Sequence, residues 1–280
     1  MYTGEKGVRT TAVPAVVIAI IAFWLSLLPA TAAEVVRLDA NESPPYWSAS
    51  MPGQGMCGEL VQAIARASGI ELAIQFKPLN RMIEDDANND LGNPAFFMRN
   101  QEFAAIIPIA VYHVSVFRYQ PNHQKPLIIR SLEDIKGFRV GVLKGTLVDR
   151  SYFASAGIRV EESYSQASLF RKLHKGRIDM IVDIDLSGHH MIHDLFPDEV
   201  DAFAVDIIEK SESPIAILLS LQLADGSKVA KHLREGLERI KASGEYQAIV
   251  EKYYASGSLP GHYMAELALF SFLYQFADGE

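Results

Sequence analysis

The stretch Arg139-Val140-Gly141-Val142-Leu143-Lys144-Gly145-Thr146 decides how the rest of the chain is read. Its first five residues, Arg139 followed by the apolar Val140 to Leu143, read as a strand. Gly145 breaks the run, and Thr146, with Asp149 three residues on, forms a capping-box-like start for a helix over residues 147–156. A helix N-terminus offers free amides and positive dipole character, and the threonine hydroxyl adds a donor, so this turn suits a carboxylate.

The same strand–turn–helix rhythm extends in both directions. A short helix is expected over 131–136, and strands over 159–164, 179–184 and 202–208, with helices over 165–175 and 186–194 between them. Such alternation argues for a parallel or mixed sheet covered by helices. Upstream, a strand over 35–40 leads into a loop over 41–54 rich in Pro, Ser and Gly. Met56, Leu60, Val61 and Ile64 then share one helix face, and the helix ends near Gly69. A strand over 71–76, a helix over 79–88 and a strand over 110–119 follow. Downstream, a strand over 214–220 precedes an amphipathic helix marked by Val229, Leu233, Leu237 and Ile240. Gly244 separates it from another helix through Tyr246, Ile249, Val250 and Tyr253. Residues 259–280 are apolar and show no usable periodicity.

The first 33 residues have a different character. Lys6 and Arg9 precede an apolar run over 12–28, which closes on Pro29-Ala30-Thr31-Ala32-Ala33. Basic, apolar and small residues in that order form the layout of a secretory signal peptide. An uncleaved membrane anchor is the other reading, since the run approaches bilayer-spanning length. The chain carries 26 basic and 34 acidic residues, a net charge of −8, which excludes the phosphate-neutralising surface of a nucleic-acid binder. Cys57 is the sole cysteine, so no intrachain disulfide can form, and its helical neighbours make it a small buried hydrophobe.

Three further segments carry chemistry. In Glu42-Ser43-Pro44-Pro45-Tyr46-Trp47 a rigid Pro-Pro turn presents aromatic faces to a ligand or to the core. Arg99 lies nine residues before Pro108-Ile109; its planar guanidinium can fork onto a carboxylate or simply sit at the surface. In Lys175-Gly-Arg-Ile-Asp179-Met-Ile-Val-Asp183-Ile-Asp185, a Gly-Arg-x-Asp start runs into an apolar strand that ends among aspartates.

In this order the segments resemble the type II periplasmic solute-binding proteins, in particular extracellular solute-binding protein family 3, whose members bind polar amino acids for ABC importers. The resemblance covers about residues 35–255. It implies that the aromatic after Pro-Pro lies against the ligand, that Arg99 holds an α-carboxylate, and that the Gly145-Thr146 turn opens the second lobe and adds donors. It also implies an aspartate for the ligand's ammonium, five residues after Asp179. Ile184 stands there, flanked by Asp183 and Asp185. Neighbouring strand residues face opposite ways, so the offset matters; Asp183 is preferred. Where relatives place Ser or Thr before the arginine, this chain has Asn93-Pro-Ala-Phe-Phe97-Met98, which makes the expected pocket more apolar.

The expectation is therefore an α/β, two-lobed periplasmic-binding-protein-like fold with crossovers near 116–119 and 213–216. Lobe 1 would comprise 34–116 and 216–258, lobe 2 would comprise 117–215, and 259–280 would be a C-terminal extension. The ligand residues expected in the cleft are Tyr46, Arg99, Gly145, Thr146 and Asp183, with Glu42, Trp47, Phe97 and Asp185 as further candidates. The function implied is capture of an amino acid or related carboxylate, without catalysis or cofactor, by a periplasmic monomer that delivers it to an inner-membrane ABC permease. A sensory binding protein reporting to a membrane receptor is the first alternative. The second is a dehydratase on the same fold, with Glu42 or Asp185 as its acid. His189 and His193, four apart, could share a helix face toward a metal, but an exposed polar helix start explains them as well.

Overall fold

The computed structural model describes residues 35–78, 81–82, 87–98, 101–122, 127–144, 153–154, 156–254 and 259–275. The expected leader lies outside these residues. So do Arg99, Gly145 and Thr146, and most of the helices expected over 79–88 and 147–156.

Two five-stranded mixed sheets organise the chain. The first contains β1 (Val36–Ala40), β2 (Leu72–Phe76), β3 (Asn89–Gly92), β4 (Phe103–Tyr112) and β10 (Ser213–Ser220), in the order β2-β1-β3-β10-β4. β1 runs parallel to β2 and β3, and β10 runs antiparallel to β3 and β4. The second contains β5 (Val114–Tyr119), β6 (Val140–Leu143), β7 (Val160–Ser163), β8 (Met180–Ile184) and β9 (Phe203–Ile207), in the order β7-β6-β8-β5-β9.

Side-chain alternation explains why each sheet is covered on both faces. In β10, Ile215, Ile217 and Leu219 enter the large core of the first lobe, while Ala216 and Leu218 join Met82, Phe97 and Ile106 on the opposite face. In β8, Met180 and Val182 face one core and Ile181 the other. The large core is closed by α1 (Met56–Ser68), α5 (Gly226–Ser243) and α6 (Glu245–Tyr253). The second sheet is flanked by α3 (Gln166–His174) and α4 (Asp185–Leu195), while the short α2 (Pro94–Phe97) lies against β10. Each fully buried Ile or Leu in these layers contributes roughly 1.5–3 kcal/mol.

The strand expected over 110–119 is two strands. β4 ends at Tyr112 in the first sheet, and β5 begins at Val114 in the second. The chain thus passes between sheets at His113, ahead of the 116–119 expected for it. It returns through 208–212, just before the 213–216 expected. The register set by β8 explains the first shift, because Val114 and Val116 already pair with Ile184 and Val182.

The apolar tail forms a helix, α7 (Tyr263–Gln275), packed along β4. Tyr263 and Leu267 are fully buried in the large core, and the Tyr263 hydroxyl accepts from the Val111 amide. Met264, Leu269, Phe272 and Leu273 are exposed. Among the described residues no helix is long and apolar enough to cross a membrane.

Candidate functional site

The loop after β1 is built around the N-terminus of α1. The first amides of a helix lack intrahelical partners. Here no side chain caps them; the Met56 amide donates to Pro45 O, and the Cys57 amide to Tyr46 O. Gly55 makes this approach possible. Its φ is +86°, and a Cβ there would lie 2.6 Å from Pro45 O and 2.9 Å from Tyr46 O, both backbone atoms. Ser43 and Trp47 close the loop with paired backbone bonds of 2.9 and 3.0 Å. The Tyr46 and Trp47 rings are thereby fixed side by side, 6.1 Å apart.

A cavity of about 340 Å³ lies between the lobes. From the first lobe, Glu42, Tyr46 and Trp47 border it, together with Asn93, Phe96, Phe97 and Tyr112. From the second, Lys144, Gln166, Asp183 and Ser187 do so. Asn93 caps α2, its Oδ1 accepting from the Ala95 amide at 2.7 Å, while its Nδ2 donates to the Tyr112 hydroxyl at 2.5 Å. Trp47 is buried, and its Nε1 has no acceptor among the described residues. The Ser187 hydroxyl donates to Pro44 O at 2.9 Å and so joins the two lobes at the cavity's edge.

Of the two neighbouring aspartates, Asp183 lines the cavity and Asp185 does not. Asp183 accepts from Gln166 Nε2 at 2.5 Å and from the Ile184 amide at 2.8 Å. Burial raises its carboxyl to about 6 despite those two bonds, and the charge of Asp185 adds to the rise. Lys144, at the cavity's exposed rim, donates to the Tyr164 hydroxyl at 2.8 Å and lies 4.8 Å over that ring. The cavity is therefore bordered by aromatic faces, a cation and two carboxyl groups.

Asp185 is engaged elsewhere. Its Oδ1 accepts from the Tyr46 hydroxyl at 2.7 Å and its Oδ2 from the Tyr254 hydroxyl at 3.2 Å. The His113 amide approaches Oδ1 at 3.3 Å, and the Asp185 amide donates back to His113 O at 2.9 Å. Both carboxylate oxygens thus accept bonds that hold the lobes together.

The chain has the two-lobed periplasmic-binding-protein fold. A histidine kinase sensor domain with similarity to periplasmic binding proteins matches it at a TM-score of 0.60 and 18% identity, covering 79% of this chain and 96% of that one. An ancestral arginine-binding protein bound to glutamine matches at 0.56 and 21%, covering 79% and 97%. The substrate-binding protein of an amino acid ABC transporter matches at 0.55 and 18%, covering 79% and 99%. No protein-family model matches the sequence, and no curated protein is similar to it. The resemblance read from the sequence is borne out at the level of the fold.

Of the candidates named from the sequence, Tyr46, Asp183, Glu42, Trp47 and Phe97 meet at this one cavity. Lys144, Gln166, Asn93, Tyr112 and Ser187 border it too. Two of these had a signal in the sequence: Asn93 opens the segment before Arg99, and Lys144 stands directly before Gly145-Thr146. His189 packs edge-on against Phe117, with ring centroids 5.9 Å apart, and burial lowers its pKa. Among the described residues no group of three or more His, Cys, Asp or Glu side chains could hold a metal ion. Cys57 is buried in the core, and burial pushes its thiol pKa up.

Proposed function

We propose that the cleft captures a small zwitterionic solute, an amino acid or a related carboxylate, outside the cytoplasm and delivers it to an inner-membrane ABC permease without chemical change. The observation that carries this reading is one interlobe cavity bordered by Lys144, Asp183 and the aromatic rings of Tyr46, Trp47 and Phe97. A cation and a carboxylate at one cavity suit the two charges of an amino acid, and aromatic faces suit its side chain. Arg99, Gly145 and Thr146 carry over from the sequence as proposed carboxylate contacts, and Asp183 as the proposed ammonium contact. The solved structures of amino-acid-binding proteins with this fold support the reading.

The sensor domain among the similar structures favours a second reading, in which the same closure reports to a membrane receptor. The two readings share a ligand and differ in partner. Lobe 1 is proposed to comprise 35–112 and 213–275, and lobe 2 to comprise 114–207.

A thermal-shift screen of the full chain against amino acids, polyamines, organic acids and sugars tests the proposal. A ligand at a hundred times its Kd stabilises by about 2.7 kcal/mol. Stabilisation by α-amino acids that weakens in Lys144→Ala and Asp183→Ala is expected. Stabilisation by uncharged sugars alone would overturn the reading.

A further inference from the structure

His113 occupies the single residue between the last strand of the first sheet's initial run and the first strand of the second sheet. Its side chain is buried, and both ring nitrogens face carboxylates. Nε2 is 2.9 Å from Glu266 Oε2 on α7, and Nδ1 is 3.5 Å from Asp185 Oδ2 at the start of α4. The first contact is a hydrogen bond; the second is an electrostatic contact without hydrogen-bond alignment. A neutral imidazole has one N–H and one lone pair, so one of these carboxylates would face a lone pair. Only the imidazolium presents a proton to both.

Among the described residues the groups bonded to this cluster include no other cation. Tyr46 and Tyr254 donate to Asp185, Tyr263 lies on the α7 face turned toward the cluster, and Tyr112 precedes His113 in the chain. His189, one turn along α4 from Asp185, is itself disfavoured as a cation by burial. Among the described residues no lysine or arginine is bonded to Asp185 or Glu266.

We propose that His113 is a proton-operated latch at the junction of the lobes: charged, it clamps Asp185 of the second lobe and Glu266 of the C-terminal helix to the crossover, and neutral, it releases that clamp. Because Asp185 also holds the Tyr46 hydroxyl, the proton on His113 is coupled to the aromatic wall of the cleft. Burial alone pulls the His113 pKa down, but the close contacts and charges of Asp185 and Glu266 outweigh it and raise the net value. A raised histidine contributes stability that is complete below the roughly 6.5 of the unfolded chain and is lost as pH climbs through the folded value. External acidity would then tighten the pivot and alkalinity loosen it, whatever solute the cleft holds.

The test needs no ligand, so its failure and a failure of the solute reading are separable. The full chain carrying Trp24→Phe leaves Trp47 as the sole tryptophan. Its emission and the thermal midpoint are followed from pH 5 to pH 9. The expected result is a step centred above 6.5 in both readouts that is missing from His113→Gln, which retains only the separate Asp183 step near 6. Glu266→Gln, a milder change at a partly exposed position, keeps the step but moves its midpoint down by about one unit. Profiles of His113→Gln that superimpose on the parent, or an unmoved midpoint in Glu266→Gln, would overturn the latch. If His113→Gln does not fold, the Glu266→Gln midpoint decides alone.

Discussion

The Tyr46 hydroxyl donates a 2.7 Å hydrogen bond to Asp185 Oδ1 across 139 positions of sequence, with both groups buried. It joins the loop that walls the cleft in the first lobe to the helix that leaves the last cleft strand of the second. The Asp185 carboxylate also sits in the first turn of α4, where the helix dipole favours negative charge. Tyr46→Phe keeps the ring and deletes the donor, leaving a buried carboxylate oxygen short of a partner. The expected cost is about 1–3 kcal/mol, read as a lower urea midpoint at unchanged slope. A variant that unfolds at the parent's urea concentration would show that the bond carries no net stability.

Gly55 makes a second, sharper prediction. Alanine there would have to hold a φ of +86° and place its Cβ against two backbone oxygens that cannot turn aside. The expected loss is at least about 1–3 kcal/mol from strain alone. The loop carbonyls that cap α1 must also move, so Tyr46 and Trp47 leave their places. Gly55→Ala should therefore change tryptophan emission in the native state as well as lower the thermal midpoint. A destabilised variant with the parent's emission would mean that the loop absorbs the strain without shifting the cleft wall.

How legible these features were in the sequence depends on how local their causes are. The α1 face of Met56, Leu60, Val61 and Ile64 and the apolar run of β8 are set by short-range periodicity, and both formed as read. The break at His113 has no local cause. Residues 110–119 read as one strand, and the division arises because β4 pairs with β10 while β5 pairs with β8 and β9. α7 escaped because a helix apolar on all sides has no amphipathic period. Asp183 was readable from its place at a strand's end. The role of Asp185 was not, since its tyrosine partners are 139 and 69 positions away.

Gly188 predicts a packing failure in the second lobe. A Cβ at this position on α4 would lie 2.0 Å from Phe117 Cζ. Phe117 is fully buried, with the Phe170 ring 5.5 Å away and His189 at its edge, so it has little room to retreat. Gly188→Ala should cost about 1–3 kcal/mol through overpacking. Phe117→Leu in the same chain removes the clashing atoms, so the double variant should be more stable than the sum of the single losses implies. Strict additivity in that cycle would show that the clash is relieved by backbone movement instead.

Asp183 should make the ligand-free protein pay for its binding site in a way that depends on pH. Its carboxyl is raised to about 6 chiefly by burial. Between the roughly 3.9 of an unfolded aspartate and that value, the native state keeps a proton that the unfolded chain has released. Stability contributed by this group is therefore complete at acid pH and falls as pH rises across the window. Two units correspond to about 3 kcal/mol. Asp183→Asn cannot ionise, so without ligand it should be more stable than the parent at pH 8 by up to that amount, with a flatter profile between pH 4 and 6. A bound ammonium group favours the carboxylate, so the parent's affinity for an amino acid should weaken as pH drops below about 6, and Asp183→Asn should bind weakly at every pH. Denaturation across pH and calorimetric titration read the two effects separately. If Asp183→Asn is less stable than the parent at pH 8, the bonds from Gln166 and Ile184 outweigh burial, and the carboxylate is held for the fold and not for a ligand.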